Sequence, residues 1–315
     1  MSKPSHGNMF MLVMILTFIL LNIAVSFIYN SGFLPRNVLV QLSLGMLVFI
    51  LPLMGYFLLN KNKAPLMLPF KKVSFFNIAF IVMMTFSLEP IAMFFGYISS
   101  LAFPNTTGSV VWYLITELPL PVVIFFTCVS PSIWEEVTMR GVVLGNYHDV
   151  SIRKAALVNG LFFGILHMNP HQFLYAFLMG VVFCYFVRYT QSLISAILSH
   201  FIFNFAQIML AWTISRQAAD TIPQEAAASA AAVAADGPVW LPMLLSSSIT
   251  AAIFLPVFLI LFKTFVSYNK QRMFKEALAA ENTELIPPPE TEPKVFDIWF
   301  WLIVIIYIAW VLVIF

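Results

Sequence analysis

Long apolar runs recur along the chain, separated by short polar stretches. Most runs are about 20 residues long, enough for a helix to cross the hydrocarbon core of a bilayer. They do not alternate apolar and polar positions over ten-residue segments, as the strands of a membrane barrel would. The pattern therefore predicts about nine transmembrane helices, at residues 9–29, 38–59, 74–101, 118–145, 154–169, 171–188, 193–213, 239–262 and 297–315.

Composition points to the same fold class. Of the 315 residues, 61% are hydrophobic and 10% are charged, whereas about a quarter of the residues of a soluble domain are charged. We predict an all-α, polytopic transmembrane helix bundle of about eight or nine spans with the lipid bilayer as its surroundings. The net charge of +2 is small and the basic residues are scattered, which gives no basis for a nucleic-acid partner.

The basic residues indicate how the bundle lies in its membrane. If the amino terminus is cytoplasmic, every basic cluster falls on the cytoplasmic side, as the positive-inside rule requires. These clusters lie at residues 61–72, 153–154, 188 and 263–275. The first apolar run has no small-residue cleavage site after it, so we expect a retained span. Short basic loops favour a bacterial plasma membrane.

Ionisable side chains inside a span are costly, so each one is a candidate for function. In the fourth predicted span, Glu136 and Arg140 are four residues apart, in the order that favours an ion pair on one helix face. Glu135 is turned by about 100° from Glu136 and has no partner on its own helix. A carboxylate in that position suits a general base. The alternative is a purely structural network of the three charges.

Two further spans carry histidines at a similar depth. Helical rise places Glu135 about 15 Å, His167 about 20 Å and His200 about 11 Å from the cytoplasmic ends of their helices. His200 and Asn204 are four residues apart, so both side chains lie on one face and can donate hydrogen bonds to an oxyanion. Helix-to-helix hydrogen bonding is the alternative role for that pair. The common depth predicts one shared site.

Three other polar or reactive side chains lie in apolar stretches. Glu89 precedes Pro90 in the third span, where a helix kink with a hydrated carboxylate is as good an interpretation as a functional role. Cys128 and Cys184 have neither metal-type nor disulfide-type spacing, and small buried hydrophobes are the simpler interpretation. We assign the two cysteines no chemistry.

The ordered motifs resemble the CPBP or ABI family, named for CAAX proteases and bacteriocin-processing enzymes, which includes the Ras-converting CAAX protease. The family pattern is E-E-x-x-x-R, then F-x-x-x-H, then H-x-x-x-N on successive helices. The matching residues, within a resemblance that covers about 118–213, are Glu135, Glu136, Arg140, Phe163, His167, His200 and Asn204.

The resemblance implies an intramembrane glutamic endopeptidase that needs no cofactor or metal. Its substrate would be a peptide or a membrane protein, and this substrate could be prenylated. In the family scheme Glu135 and His167 activate a water molecule, while His200 and Asn204 stabilise the oxyanion.

By the same likeness, Glu136 and Arg140 hold the geometry of the site. The chain then divides into N-terminal membrane helices (1–117), a catalytic core (118–213), and an outer loop with C-terminal helices (214–315). Within the last region, the alanine-rich stretch 217–236 and the acidic stretch 279–294 are expected to be flexible connections.

Three other kinds of function stay open. One carboxylate and two histidines could bind zinc at an open site, although the chain has no His-Glu-x-x-His and Pro170 separates His167 from His171. A membrane scaffold or bacteriocin-immunity protein would bind a partner and cleave nothing. A transporter is disfavoured because the polar groups form one cluster rather than a path. A serine or cysteine nucleophile is also disfavoured, because Cys128 is about 10 Å along the helix from Glu135, too far for the two side chains to share a proton.

Overall fold

The computed structural model describes residues 3–33, 37–61, 68–221, 240–279 and 293–315. These residues form ten helices, which confirms the predicted all-α bundle. In chain order they are α1 Lys3–Asn30, α2 Val38–Leu59, α3 Phe75–Ser99, α4 Thr106–Glu117, α5 Leu120–Val143, α6 Ile152–Leu166, α7 Pro170–Thr190, α8 Ile194–Thr221, α9 Trp240–Ala279 and α10 Ile298–Ile314.

Each of the nine predicted spans corresponds to a helix, but their lengths differ. By length and composition, 7 helices in the described part of the chain can cross a membrane. Helix α6 has 15 residues and α10 has 17, so both are shorter than a full span. The 12-residue helix α4 was not predicted, because its threonines and glycine interrupt the apolar pattern.

One predicted flexible connection is partly wrong. Residues 217–221 continue helix α8 instead of leaving it. The rest of the alanine-rich stretch, 222–236, and residues 280–292 of the acidic stretch lie outside the described residues.

The helices begin where short polar side chains can bond the first free backbone N–H groups. Asn169, for example, accepts from the backbone N–H of His171 at 3.0 Å, and Pro170 occupies the first position of α7, where its missing N–H is no loss. Side chains that act in the same way on α2, α3, α4 and α10 are Asn37, Ser74, Asn105 and Asp297.

Basic residues from three of the predicted clusters lie at one end of the bundle. Lys71 Nζ donates to Gln191 Oε1 at 2.9 Å, in the turn between α7 and α8. Arg272, in α9, donates to the carbonyl of Tyr189 in the last turn of α7 at 2.9 Å. Arg188 donates to backbone carbonyls in the turn after α5. These residues therefore face the same side of a membrane, and that this side is cytoplasmic stays a prediction.

Glycines bring α6 and α7 into close contact. A Cβ atom on Gly180 would lie 2.7 Å from the Cα atom of Gly160, and one on Gly164 would lie 2.9 Å from the carbonyl oxygen of Phe173. Gly160 and Gly164 are four residues apart, a spacing that lets membrane helices approach closely. This contact fixes the position of the end of α6, where His167 follows.

The turn from α6 to α7 has an unusual backbone. Met168 has φ 48° although it is not glycine, and its side chain is buried. Trp310 Nε1, from α10, donates to the Met168 carbonyl at 2.9 Å. A bulky residue keeps this left-handed conformation only where its surroundings hold it. His167 lies directly before Met168, so this turn helps to fix its position.

Helix α5 contains two π-helical segments. Phe125–Val129 and Val137–Val143 flank the α-helical Ser130–Glu136. The wider turns shift side chains relative to a regular helix, and such segments are frequent at functional sites. Glu135 and Glu136 thus lie at the end of the regular stretch between two irregular ones.

We predict that Gly180→Ala lowers the stability of the protein by about 1–3 kcal/mol, because the added methyl group must push two backbones apart. Gly45→Ala is the matched control, since nothing lies within 4 Å of the position its Cβ would take. Thermal unfolding in detergent measures both. Equal melting temperatures for the two variants would contradict the close approach of α6 and α7.

Candidate active site

A buried ion pair forms the base of the site. Arg140 Nη1 donates to Glu136 Oε1 at 2.9 Å, and both side chains are fully buried. The same oxygen accepts from His200 Nδ1 at 2.8 Å. The pair predicted from the spacing of four residues is thus present, and it joins α5 to α8.

Aromatic rings surround the guanidinium of this pair. Arg140 lies over the ring of Phe163 at 4.3 Å and near that of Phe183 at 5.2 Å from the centroid. Cation–π contacts of this kind are strengthened where water is excluded. They compensate a guanidinium whose Nε and Nη2 atoms have no hydrogen-bond partner. Helices α6 and α7 are thereby fixed against α5.

Glu135 lies beside the ion pair but does not take part in it. Its Oε2 atom is buried and has no hydrogen-bond partner. This atom is 3.9 Å from His167 Nε2 and 4.0 Å from His200 Nε2. The three side chains come from α5, from the end of α6 and from α8, and the structure brings them together.

Hydrogen bonds at Nδ1 set the proton positions of both imidazoles. His167 Nδ1 lies 2.8 Å from the carbonyl oxygen of Phe163. A carbonyl only accepts, so Nδ1 carries the hydrogen, and the carbonyls of the last helical turn are free to accept it. His200 Nδ1 likewise faces the carboxylate of Glu136. In each neutral ring the Nε2 atom nearest to Glu135 is therefore a proton acceptor.

Asn204 is held by the backbone of α5. Its Nδ2 atom donates to the carbonyl of Thr127 at 2.9 Å. Thr127 lies in the first π-helical segment, and Pro131, the residue that would donate to this carbonyl in a regular α-helix, has no N–H. The amide retains a second hydrogen. His200 and Asn204 thus share a helix face as predicted, but each is bound to a different part of α5.

The remaining side chains singled out in the sequence lie elsewhere. His171 is in the first turn of α7, where its Nε2 is 2.9 Å from Ser100 Oγ. Cys128 and Cys184 are buried free thiols. Glu89 contacts Gln207 of α8. Among the residues that the structure describes, no three His, Cys, Asp or Glu side chains are placed to hold a metal ion.

Sequence reasoning missed two residues near the site. Asn159 is buried in α6 and donates to the carbonyl of Met139 at 2.8 Å, which holds α6 against the second π-helical segment. Tyr175 of α7 lies close enough to Glu135 to interact electrostatically with it. A buried asparagine within an apolar helix was a signal for the first. The sequence contains no comparable signal for the second.

Fold and site together define a class: a multi-pass helical membrane protein with a carboxylate–imidazole cluster inside its bundle. Residues 117–206 match the family model described as Type II CAAX prenyl endopeptidase Rce1-like. This match covers less than a third of the chain; it supports membership of the CAAX protease family, a family of peptidases, and confirms the resemblance seen in the motifs. No curated protein and no solved structure matches the chain at a significant level.

We predict unequal effects on stability for the two neighbouring glutamates. Glu136→Gln leaves the Arg140 guanidinium buried without its counter-charge, which should cost about 3–5 kcal/mol of folding free energy. Glu135→Gln breaks no direct hydrogen bond and should change stability by less than about 1 kcal/mol. Thermal unfolding of the purified variants compares them. A Glu136→Gln protein as stable as wild type would show that the ion pair is not structural.

Proposed function

We propose that this protein is an intramembrane endopeptidase in which Glu135 activates a water molecule for attack on a peptide carbonyl. One observation carries the proposal. A buried carboxylate oxygen without a hydrogen-bond partner faces the acceptor nitrogens of two imidazoles from other helices. The match of residues 117–206 to a model of a peptidase family supports the reaction type.

The spacing of the three groups suits a shared water molecule. Separations of 3.9 and 4.0 Å are too long for direct hydrogen bonds but fit one water that bonds two of the groups. Glu135 takes a proton from this water molecule as the water oxygen attacks the carbonyl carbon of the peptide. The same proton then passes to the leaving nitrogen when the C–N bond breaks, leaving a new carboxyl group and a free amine.

His167 is proposed as the partner of Glu135 in these proton transfers. Its Nδ1–H is donated to the Phe163 carbonyl, so its Nε2 is free to accept a proton on the side that faces the carboxylate. General acid–base catalysis of this kind contributes roughly 10²–10⁴-fold to a rate.

Asn204 and His200 are proposed as donors to the oxyanion, in different ways. Asn204 has one amide hydrogen left after bonding Thr127, and this hydrogen can be donated as it stands. His200 can donate from Nε2 only as the imidazolium, because its other hydrogen goes to Glu136. The negative charge of Glu136 would stabilise that cation. Loss of one oxyanion donor in other enzymes lowers kcat by about 10²–10³-fold.

The substrate we propose is a peptide or membrane protein that reaches the site from the bilayer. We assign the catalytic core to residues 118–213, between N-terminal membrane helices (1–117) and a region with an outer loop and C-terminal membrane helices (214–315). A prenylated Cys-a-a-X carboxyl terminus is the first substrate to test, since the matching family is described as a prenyl endopeptidase family. The proposed location is a bacterial plasma membrane.

Glu135→Gln should abolish cleavage of a fluorogenic farnesylated Cys-a-a-X peptide, with a fall in kcat of about 10²–10⁴-fold and unchanged thermal stability. The substitution removes the base but hardly changes its shape. Cleavage by wild type and variant is measured in nanodiscs, each with and without a strong zinc chelator.

Activity that persists with chelator and disappears in the variant supports the glutamate-activated water. Loss with chelator and recovery with zinc would establish the metal-dependent alternative instead. If wild type cleaves neither this peptide nor any protein of a co-expressed membrane proteome, the non-catalytic scaffold is the better interpretation.

Two histidines four residues apart provide a matched comparison. His167→Gln should lower kcat by at least about 10²-fold, because the Nε2 acceptor beside Glu135 is lost. His171→Gln should leave kcat close to wild type, since His171 bonds Ser100 and not Glu135. The same peptide assay compares the two. Similar losses in both variants would mean that the α6–α7 turn matters only for folding.

A further inference from the structure

Glu89 is an ionisable side chain within a span that the proposed mechanism does not use. Its Oε2 accepts from Gln207 Nε2 at 3.3 Å, a long hydrogen bond. Its Oε1 is buried and has no hydrogen-bond partner. A carboxylate in a membrane span is retained at a cost and normally has a partner. Glu89 and Gln207 both lie outside the residues that match the family model.

The register of α3 against α8 places this pair beside the active site. The hydroxyls of Thr85 and Ser199 are 2.6 Å apart, which sets α3 level with the residue directly before His200. Glu89 is one helical turn beyond Thr85 in α3. The two helices run in the same direction, so Glu89 lies on the outer side of the site, away from the basic end of the bundle.

Gln207 continues the line of side chains that forms one wall of the site. It lies seven residues after His200 and three after Asn204, and these spacings place all three on one face of α8. A helix rises 1.5 Å per residue, so Gln207 is about 10 Å further along this face than His200. The side chain of Gln207 is exposed. Glu89 therefore borders a surface that continues outward from the site.

We propose that Glu89 and Gln207 form a specificity subsite for a lysine or arginine side chain of the substrate. The subsite rests on the proposed peptidase function. An extended peptide rises about 3.3 Å per residue, so a distance of about 10 Å corresponds to roughly three residues from the scissile bond. A substrate with a cation at that position supplies Glu89 Oε2 with a charged donor beside the long bond from Gln207.

Charge selects the cation over a neutral donor. Hydrogen bonds between an ammonium or guanidinium and a carboxylate are about twice as strong as neutral ones. Gln207 orients the Glu89 carboxylate through Oε2, in an exposed and long bond that leaves this oxygen able to accept a second, charged donor from the substrate. The same charge disfavours an anionic group here. A free carboxyl terminus three residues from the cleaved bond would therefore not be bound on the side of the site where Glu89 lies.

A positional-scanning peptide library in nanodiscs tests the subsite, with the products quantified by mass spectrometry. Wild type should cleave peptides with lysine or arginine at one position about three residues from the scissile bond. The expected preference over methionine there is about tenfold in kcat/KM, expressed mainly in KM. Glu89→Gln should lose this preference while its kcat on the methionine peptide stays near wild type.

Two further variants make the result specific. Glu117→Gln removes the same charge from an exposed position at the end of α4 and should keep the preference. Gln207→Leu leaves the carboxylate but removes its support, and should weaken the preference. This variant also decides the question if Glu89→Gln does not fold.

The outcomes separate the two proposals. Cleavage with the same side-chain preference in wild type, Glu89→Gln and Gln207→Leu contradicts the proposed subsite but not the peptidase function. A preference lost in Glu117→Gln as well would assign the effect to overall charge and also contradict it. No cleavage of any library member by wild type contradicts the peptidase function, and the subsite with it.

Discussion

The structure depends on one buried ion pair at the meeting point of four helices. Glu136 and Arg140 belong to α5, and their contacts reach Phe163 of α6, Phe183 of α7 and His200 of α8. A buried guanidinium is tolerated only with a counter-charge and good packing. The pair therefore fixes the relative positions of the helices whose side chains form the site.

The pair also gives two adjacent glutamates different roles. Glu136 has its charge balanced by Arg140 and orients the His200 ring through Nδ1. Glu135, on another side of the helix, keeps an oxygen that no protein group bonds. In the mechanism that we propose, this division leaves one carboxylate for structure and one for chemistry, in a setting where electrostatic interactions are strong because water is largely excluded.

Much of this could be predicted from the sequence, because helical spacing and the cost of burying charge both act locally. The Glu136–Arg140 contact follows from a spacing of four residues. The shared site was predicted because polar groups on three helices fall at a similar distance from the helix ends. The bond from Asn204 to Thr127 could not be predicted so directly, since it depends on a π-helical turn. The glycine contact of α6 and α7 and the electrostatic interaction of Tyr175 with Glu135 depend on how separate helices pack, which spacing along one helix does not determine.

The most direct test of the central claim follows the oxygen of the attacking water. A single turnover is run in water enriched in the heavy oxygen isotope, and both the product and the peptide that contains Glu135 are analysed by mass spectrometry. Direct attack of a water activated by Glu135 predicts one heavy oxygen in the new carboxyl group of the product and none in Glu135. Heavy oxygen in the Glu135 side chain would show that this residue attacks the peptide itself, and would contradict the account.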